Sequence, residues 1–277
     1  MIELAIILLT LGLSIAGLLL APTITQWRRD RLRKKRFPPQ WETTLEKHLP
    51  FYASLLSDER RQLKEHIQVF LAEKQFIGCG GLEVTLEMKI VVAAVGCLLL
   101  LNRPNPQYFT KLRSILLYPS TYKTKVSKWL SPYVVEETQV ARLGESWHRG
   151  HLVLSWAQVS QDMRHWRDGH NVILHEFAHQ LDAEDDTAAG VPHLPHPGDR
   201  KTWADVMTAG YEQLCRAVAQ GQKTVIDSYG STHPAEFFAV VTETFFERPR
   251  SLHRHHPQLY DLLHNYYQID PKQWFQR

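Results

Sequence analysis

Cysteine is scarce in this chain. Cys79, Cys97 and Cys215 are the only three among 277 residues, and no two of them form a Cys-x-x-Cys arrangement. An odd, small number without paired spacing excludes a disulfide framework and disfavours a cysteine-ligated metal site. We therefore expect reduced, mostly buried thiols of the kind found in cytosolic proteins.

A large excess of charge is lacking as well. The formal net charge is +3, which does not predict a nucleic-acid partner. The positive charge is instead local, because seven of the nine residues 28–36 are basic. A nearly uninterrupted apolar run over residues 4–21 precedes them, close to the roughly 20 residues that span a bilayer as a helix.

This N-terminal pattern predicts a membrane protein. We expect a transmembrane anchor over residues 1–26, a basic juxtamembrane linker over 27–50 and a folded domain over 51–277. Because basic flanks stay cytoplasmic, the chain would cross the inner membrane once, with its domain in the cytoplasm and the basic run against anionic lipid. A cleaved signal peptide is disfavoured, since the charge follows the apolar run. The alternative is a cytoplasmic protein.

Hydrophobic periodicity predicts a mainly helical α+β domain with a small β-sheet. The apolar stretch 90–101 is too short to cross a bilayer and indicates a buried core helix. Between 109 and 160 the period shifts toward two, as in a sheet whose edge either binds substrate or is only structural. The expected helices begin near 57, 84, 211, 234 and 259; the expected strands cover 115–118, 134–135, 139–143 and 152–156; the polar segment 183–200 is expected to form a loop over the site.

His175, Glu176 and His179 form the most informative motif of the chain. On a helix starting near Asn171, the two histidines lie on one face and are able to bind one Zn²⁺. Glu176 would then reach a metal-bound water as general base. Chance is the rival interpretation, since the chain holds 15 histidines. The apolar character of the surrounding helix favours a metal, because unpaired buried polar groups cost several kcal/mol.

A catalytic zinc needs a third protein ligand besides water. Asp185 lies six residues after His179, as in one zincin group, but that group has glycine where this chain has Asp182. Asp182 is better suited to a hydrogen bond with a ligand imidazole. His193 and His196, in the predicted loop, have a spacing that matches no known pattern.

Glu236 is the strongest candidate for the third ligand. It is an acidic residue at the start of an otherwise apolar helix, and Glu243 lies on the same face seven residues later. Glu243 is a weaker candidate for the ligand and a candidate for orienting one. The structural alternative, in which both carboxylates are solvated, is disfavoured by four phenylalanines nearby: Phe237, Phe238, Phe245 and Phe246.

Two segments resemble the Mlc titration factor A family of bacterial zinc peptidases. They are His-Glu-Phe-Ala-His-Gln-Leu-Asp at 175–182 and Pro-Ala-Glu-Phe-Phe-Ala-Val at 234–240. The resemblance implies a gluzincin-like core with Zn²⁺ held by His175, His179 and Glu236, and Tyr229 stabilising the oxyanion. It also implies an aminopeptidase-like, regulatory activity. Shorter matches extend it over about residues 50–275: 78–82, 115–119, 142–147 and 270–271.

Two functions follow from these observations. The first is a zinc-dependent peptidase that hydrolyses a peptide or protein substrate with a metal-activated water and Glu176 as general base. The alternative is a non-catalytic protein that sequesters a transcriptional repressor such as Mlc. A purely structural zinc is disfavoured, because such sites are closed by four ligands.

Overall fold

Helices account for most of the residues that the structure describes. The structure is a computed structural model, and it describes residues 2–104, 106–120, 123–131, 134–141, 150–185, 190–194 and 198–275. The predicted mainly helical character is confirmed. In chain order the α-helices of these residues are α1 (Ile2–Arg33), α2 (Pro39–His48), α3 (Ser57–Glu73), α4 (Leu86–Leu98), α5 (Trp156–Asp162), α6 (Val172–Asp182), α7 (Asp199–Ala219), α8 (Pro234–Glu247), α9 (Pro249–His255) and α10 (Pro257–Tyr267).

The predicted sheet is present and its main part is parallel. The strands are β1 (Gln75–Gly78), β2 (Ser114–Tyr118), β3 (Lys123–Ser131), β4 (Val134–Ala141) and β5 (His151–Ser155). Strands β1, β2 and β5 form a sheet in the order β1-β2-β5, whereas β3 and β4 form an antiparallel pair. The expected strands at 115–118 and 152–156 are confirmed, although Trp156 already begins α5. Arg142 and Leu143, predicted to extend a strand, lie outside the described residues.

The prediction of a transmembrane anchor over residues 1–26 is wrong. The apolar stretch is only the first part of α1, which runs on to Arg33 and ends in charged residues that pack on α3. Among the described residues, no helix combines the length and the apolar character that crossing a membrane requires. The predicted single-pass placement in the inner membrane is wrong with it.

The basic end of α1 binds the rest of the protein. Arg29 Nε donates to Glu73 Oε1 at 2.7 Å, and its guanidinium lies 4.9 Å from the ring centroid of Tyr108. Arg33 Nη2 donates to the Tyr108 hydroxyl at 3.2 Å. Two of the basic side chains that were predicted to contact anionic lipid, Arg29 and Arg33, thus bind residues of the same protein. α2 lies inside the predicted linker and packs on α4. The predicted domain boundary at residue 51 stays a prediction.

The expected core helix is confirmed as α4. Its residues Ile90–Leu98 are all buried. The three cysteines of the chain are free thiols, but only Cys97 is buried, so the expectation of mostly buried thiols is wrong. Gly96 permits a close approach to α6, because a Cβ there would lie 2.9 Å from the ring of Phe177. The same ring contacts Phe109, with centroids 4.7 Å apart. Phe177 therefore fixes one side of α6 against the core.

The opposite side of α6 faces α8, and these two helices pack together. As predicted, α8 starts with Pro234 at its first position, where a missing N–H costs nothing. Gly190, with φ +79°, lies against the start of α8, so close that a Cβ would meet the Pro234 carbonyl oxygen at 2.7 Å. Of the predicted loop, the structure describes residues 183–185, 190–194 and 198–200. Ala183–Asp185 is a 3₁₀ turn, and α7 already begins at Asp199, earlier than the helix start predicted near 211.

Candidate metal centre

α6 carries both histidines of the motif toward α8. The helix begins where predicted: the Asn171 side chain accepts a hydrogen bond from the Leu174 backbone N–H at 3.2 Å, an ordinary N-cap. His175 and His179 lie one turn apart, with ring centroids separated by 4.7 Å. His179 and Glu176 are buried. A largely buried helix therefore presents two imidazoles at a single point.

Glu236, in the first turn of α8, meets these imidazoles. Its Oε2 lies 3.1 Å from His175 Nε2 and 3.4 Å from His179 Nε2. The two Nε2 atoms are 3.1 Å apart. Within the described residues, this trio is the group of His, Cys, Asp and Glu side chains whose ligand atoms all lie within 4.8 Å of one another.

These distances and donor types fit a metal ion. Ligands of a tetrahedral zinc, each about 2.0–2.1 Å from the ion, lie about 3.3–3.4 Å from one another, close to the three separations of this trio. Two imidazole nitrogens and one carboxylate oxygen are also a donor set that zinc accepts. The three residues are therefore able to hold such an ion, and the role of each as a ligand stays a prediction.

Glu243 sets the orientation of the first histidine. Its Oε1 lies 2.7 Å from His175 Nδ1, and its Oε2 accepts a hydrogen bond from the Asn171 backbone N–H at 2.6 Å. Metal binding requires the neutral ring of His175, in which Nδ1 donates to Glu243 and the lone pair of Nε2 faces Glu236. Two acceptors then face each other, and a cation relieves their repulsion. Glu243 thus contacts His175, and its role as an orienting carboxylate stays a prediction.

The proton equilibria of the trio reflect its charges. Burial alone would lower the pKa of His175, but the carboxylates of Glu243 and Glu236 outweigh it and raise that pKa well above the usual value. Burial lowers the pKa of His179 to about 4. Burial would raise the pKa of Glu236, yet its hydrogen bonds with both histidines lower it to about 2. Glu236 is therefore an anion at neutral pH.

Glu176 and Tyr229 lie beside the trio. Tyr229 belongs to a short 3₁₀ helix, Ser228–Ser231, and its ring centroid is 6.1 Å from that of His175. The Tyr229 side chain is about half exposed. Burial of the remainder, with the carboxylates of Glu236 and Glu176, raises its pKa above the usual value. The phenol thus keeps its proton at neutral pH, and its catalytic role stays a prediction.

The other candidates of the sequence lie elsewhere or outside the described side chains. Asp182 Oδ2 accepts a hydrogen bond from the Gly190 backbone N–H at 2.9 Å, so this carboxylate holds the loop; its contact with a ligand imidazole stays a prediction. His193 is exposed and not part of the converging trio. The side chain of Asp185 and all of His196 fall outside the described part of the chain.

Two buried carboxylates next to the site are absent from the sequence predictions. Asp162 Oδ2 accepts from the Val172 backbone N–H at 2.8 Å, and Glu247 Oε2 accepts from the Gly169 backbone N–H at 3.1 Å. Glu247 follows Glu243 by four residues, so helical spacing was a usable signal for it. No such local signal exists for Asp162, which reaches α6 from α5.

A helix with the His-Glu-x-x-His motif, facing a glutamate from a second helix, is the arrangement expected of the metallopeptidase class. The comparison with known families agrees: the chain belongs to the family described as glucose-regulated metallo-peptidase M90, which matches residues 24–268. Membership in a metallopeptidase family implies a bound metal ion.

Individual relatives cover nearly the whole chain. An uncharacterized protein of Synechocystis sp. is 44% identical over 251 residues, which are 90% of this chain and 91% of that protein. Mlc titration factor A of Klebsiella pneumoniae is 30% identical over 237 residues, 84% of this chain and 87% of the relative. Mlc titration factor A of an Enterobacter species is 29% identical over 251 residues, 89% and 92% of the two chains. The predicted resemblance to the Mlc titration factor A family is confirmed.

Proposed function

We propose that this protein is a zinc-dependent peptidase. The observation that carries the proposal is the convergence of three ligand atoms separated by 3.1–3.4 Å. His175 Nε2 and His179 Nε2 come from α6, which also carries Glu176, and Glu236 Oε2 comes from α8. His175, His179 and Glu236 would hold the ion. When bound, Zn²⁺ supplies Lewis acidity, which lowers the pKa of a water and polarises the scissile carbonyl.

Glu176 is the proton carrier of this proposal. It follows His175 directly and is buried. Burial lowers the pKa of His175, and the negative charge of Glu176 raises it together with the larger effects of Glu243 and Glu236. As general base it takes a proton from the attacking water, and as general acid it delivers that proton to the leaving amine. The oxygen of the attacking water forms a new bond to the carbonyl carbon, and this C–O bond remains when the amide C–N bond breaks.

Tyr229 is the oxyanion donor. Its raised pKa keeps the hydroxyl protonated at neutral pH, so the phenol donates a hydrogen bond to the oxygen that gains negative charge at the scissile carbonyl. Its partial exposure leaves room for a substrate to reach it. Loss of one such donor costs about 10²–10³ in kcat, which Tyr229→Phe would test.

The test is zinc content and peptide cleavage by the full-length protein. A peptide library with free and with blocked N-termini reports whether the enzyme removes terminal residues or cuts internally. We expect one Zn²⁺ per chain and cleavage that Glu176→Gln abolishes while zinc is retained. A matched control is Glu212→Gln, which changes an exposed glutamate paired with Arg216 on α7. Full activity in Glu176→Gln would contradict the mechanism.

The names of the relatives favour a second function. Two of them are called Mlc titration factor A, so we also consider binding of a transcriptional repressor such as Mlc without cleavage. Co-purification of Mlc with wild type and with Glu176→Gln separates the two functions. Equal binding by both proteins, with no cleavage of any library peptide by wild type, would favour the second.

A further inference from the structure

The backbone that leads into α6 is held by buried carboxylates from two other helices. Glu247, at the end of α8, accepts hydrogen bonds at Oε2 from the N–H groups of Arg167 at 3.3 Å and Gly169 at 3.1 Å. Asp162, at the end of α5, accepts at Oδ2 from Val172 N–H at 2.8 Å. The turn before α6 is therefore tied to α5 and to α8 at once.

Asn171 connects Glu247 and Glu243 to the metal-site histidine. Its backbone N–H donates to Glu243 Oε2 at 2.6 Å, and its Nδ2 donates to Glu247 Oε1 at 3.1 Å. Its carbonyl oxygen accepts from the His175 N–H at 2.9 Å. Glu243 in turn holds the His175 ring at Nδ1. Backbone and ring of His175 are thus both fixed by a network that ends on α8.

Three acidic residues of α8 share one face and contact the α6 region at successive levels. Glu236, Glu243 and Glu247 are spaced by seven and four residues, which keeps them on one side of a helix. Glu236 meets both imidazoles, Glu243 meets the outer nitrogen of His175, and Glu247 meets the turn before α6. Any slide of α6 along α8 would therefore break several hydrogen bonds together.

This network exceeds what starting a helix requires. α4 begins with the Thr85 hydroxyl, which accepts from the Met88 N–H at 3.2 Å. Such a cap satisfies one free N–H group of a helix start, and Thr85 and Leu86 are exposed, whereas Asn171 and Val172 are buried. Burying a carboxylate is costly, and burial raises the pKa of Asp162 to about 6 and that of Glu247 to about 9. The start of α6 is thus held by two groups that are costly to bury.

We propose that Asp162 and Glu247 are positioning residues, which fix the start of α6 so that His175 meets His179 and Glu236 at metal-binding distance. Glu247 acts through Asn171 and the backbone of the preceding turn, and Asp162 acts through the backbone of Val172. The inference rests on the proposed metal-dependent function and adds two residues to it. Removing such supporting partners lowers metal affinity or activity by about 10- to 100-fold.

The test compares two conservative variants of the full-length protein, Glu247→Gln and Asp162→Asn, with a matched control, Glu59→Gln. Glu59 is also a buried carboxylate at a helix start, because its Oε2 accepts from the Leu56 N–H at the beginning of α3. Zn²⁺ affinity is measured by competition with a chromophoric chelator. The visible absorption of the Co²⁺-loaded protein reports the geometry around the ion, and thermal melts report stability.

We expect both variants to bind Zn²⁺ about 10- to 100-fold more weakly, with altered Co²⁺ bands and a fall in kcat larger than any change in KM. The control should lose comparable thermal stability yet keep wild-type affinity and spectrum. If the wild type binds metal and both variants have the same Zn²⁺ affinity and Co²⁺ spectrum as the wild type, this inference alone would be overturned. Absence of metal binding by the wild type would overturn the proposed function and this inference with it.

Discussion

α4 and α6 are neighbouring buried helices with opposite chemistry. The buried face of α4 is apolar, running from Ile90 to Leu98. α6 buries polar side chains instead, among them Glu176, His179 and Asp182. α4 gains stability by removing apolar surface from water, whereas α6 contains groups that are costly to bury unless other elements supply partners.

The two helices also differ in what holds them. α4 needs only its own cap and the surrounding core. α6 has an apolar anchor in Phe177, which packs against Gly96 of α4, and a polar side tied to α8 through Glu243 and Glu236. Under the proposed function, α4 contributes stability and α6 contributes the catalytic groups, and Phe177 connects the two helices.

The largest effect should come from removing the charge of Glu176 on α6. Glu176→Gln is expected to lower kcat by about 10²–10⁴, because a neutral amide cannot take the proton of the water. The midpoint of thermal unfolding should change little. Steady-state cleavage assays and melts check both; a large loss of stability with retained kcat would break the assignment of chemistry to α6.

Removing core volume from α4 should lower the stability of the protein and leave the metal site unchanged. Leu98 is fully buried, so Leu98→Ala is expected to lower the free energy of unfolding by about 2–5 kcal/mol. Zinc affinity, measured at a temperature where the variant is folded, should stay near the wild-type value. Denaturant titration gives the stability. Loss of zinc with unchanged stability would contradict the division between the two helices.

A smaller effect is expected at the contact between the two helices. In Gly96→Ala the new Cβ would lie 2.9 Å from the Phe177 ring, and overpacking of about 1–3 kcal/mol is only partly offset by the better helix propensity of alanine, about 1 kcal/mol. We expect a net loss of about 1 kcal/mol. Gly198→Ala is the control, since no atom lies within 4 Å of its Cβ. Equal stability of the two variants would argue against the close approach.

The smallest effect is a pH dependence of the metal-free protein. The pKa of His175 is raised in the folded state, so the stability that it contributes is complete below pH 6.5 and is lost as the pH rises through the folded value. The raised pKa of Glu247, about 9, acts in the same direction. Melting temperatures in EDTA should therefore fall between pH 6.5 and 8.

Lys74 sets the upper limit of this pH range. Burial lowers its pKa to about 8, so above that pH Lys74 makes the stability of the protein rise with pH. Saturating Zn²⁺ should weaken the decline, because metal binding requires His175 without its proton. A melting temperature in EDTA that increases from pH 6.5 to 8 would contradict this picture of His175.

Local sequence patterns predict the residues of the site that share an element. His175 and His179 follow from helical spacing, and Glu236 with Glu243 from acidic residues in an apolar helix. Asp162 could not be found this way, because its contact with Val172 joins two elements through tertiary packing. The parallel order β1-β2-β5 is likewise a non-local property.

The N-terminus shows the limit of composition as a guide. The apolar run 4–21 resembles a membrane span, but sequence alone does not reveal that Arg29 and Arg33 of the same helix reach Glu73 and Tyr108. Those contacts form between segments far apart in the chain. By contrast, the buried helix α4 was predictable, because a continuous apolar stretch that is too short to cross a bilayer usually forms a core helix.

The most direct test of the metal centre is a crystal structure of the Zn²⁺-loaded protein with diffraction measured on both sides of the zinc absorption edge. The difference locates zinc atoms independently of the protein coordinates. We predict one strong anomalous peak between His175 Nε2, His179 Nε2 and Glu236 Oε2. A crystal that contains zinc but has no peak among these three atoms would contradict the assignment.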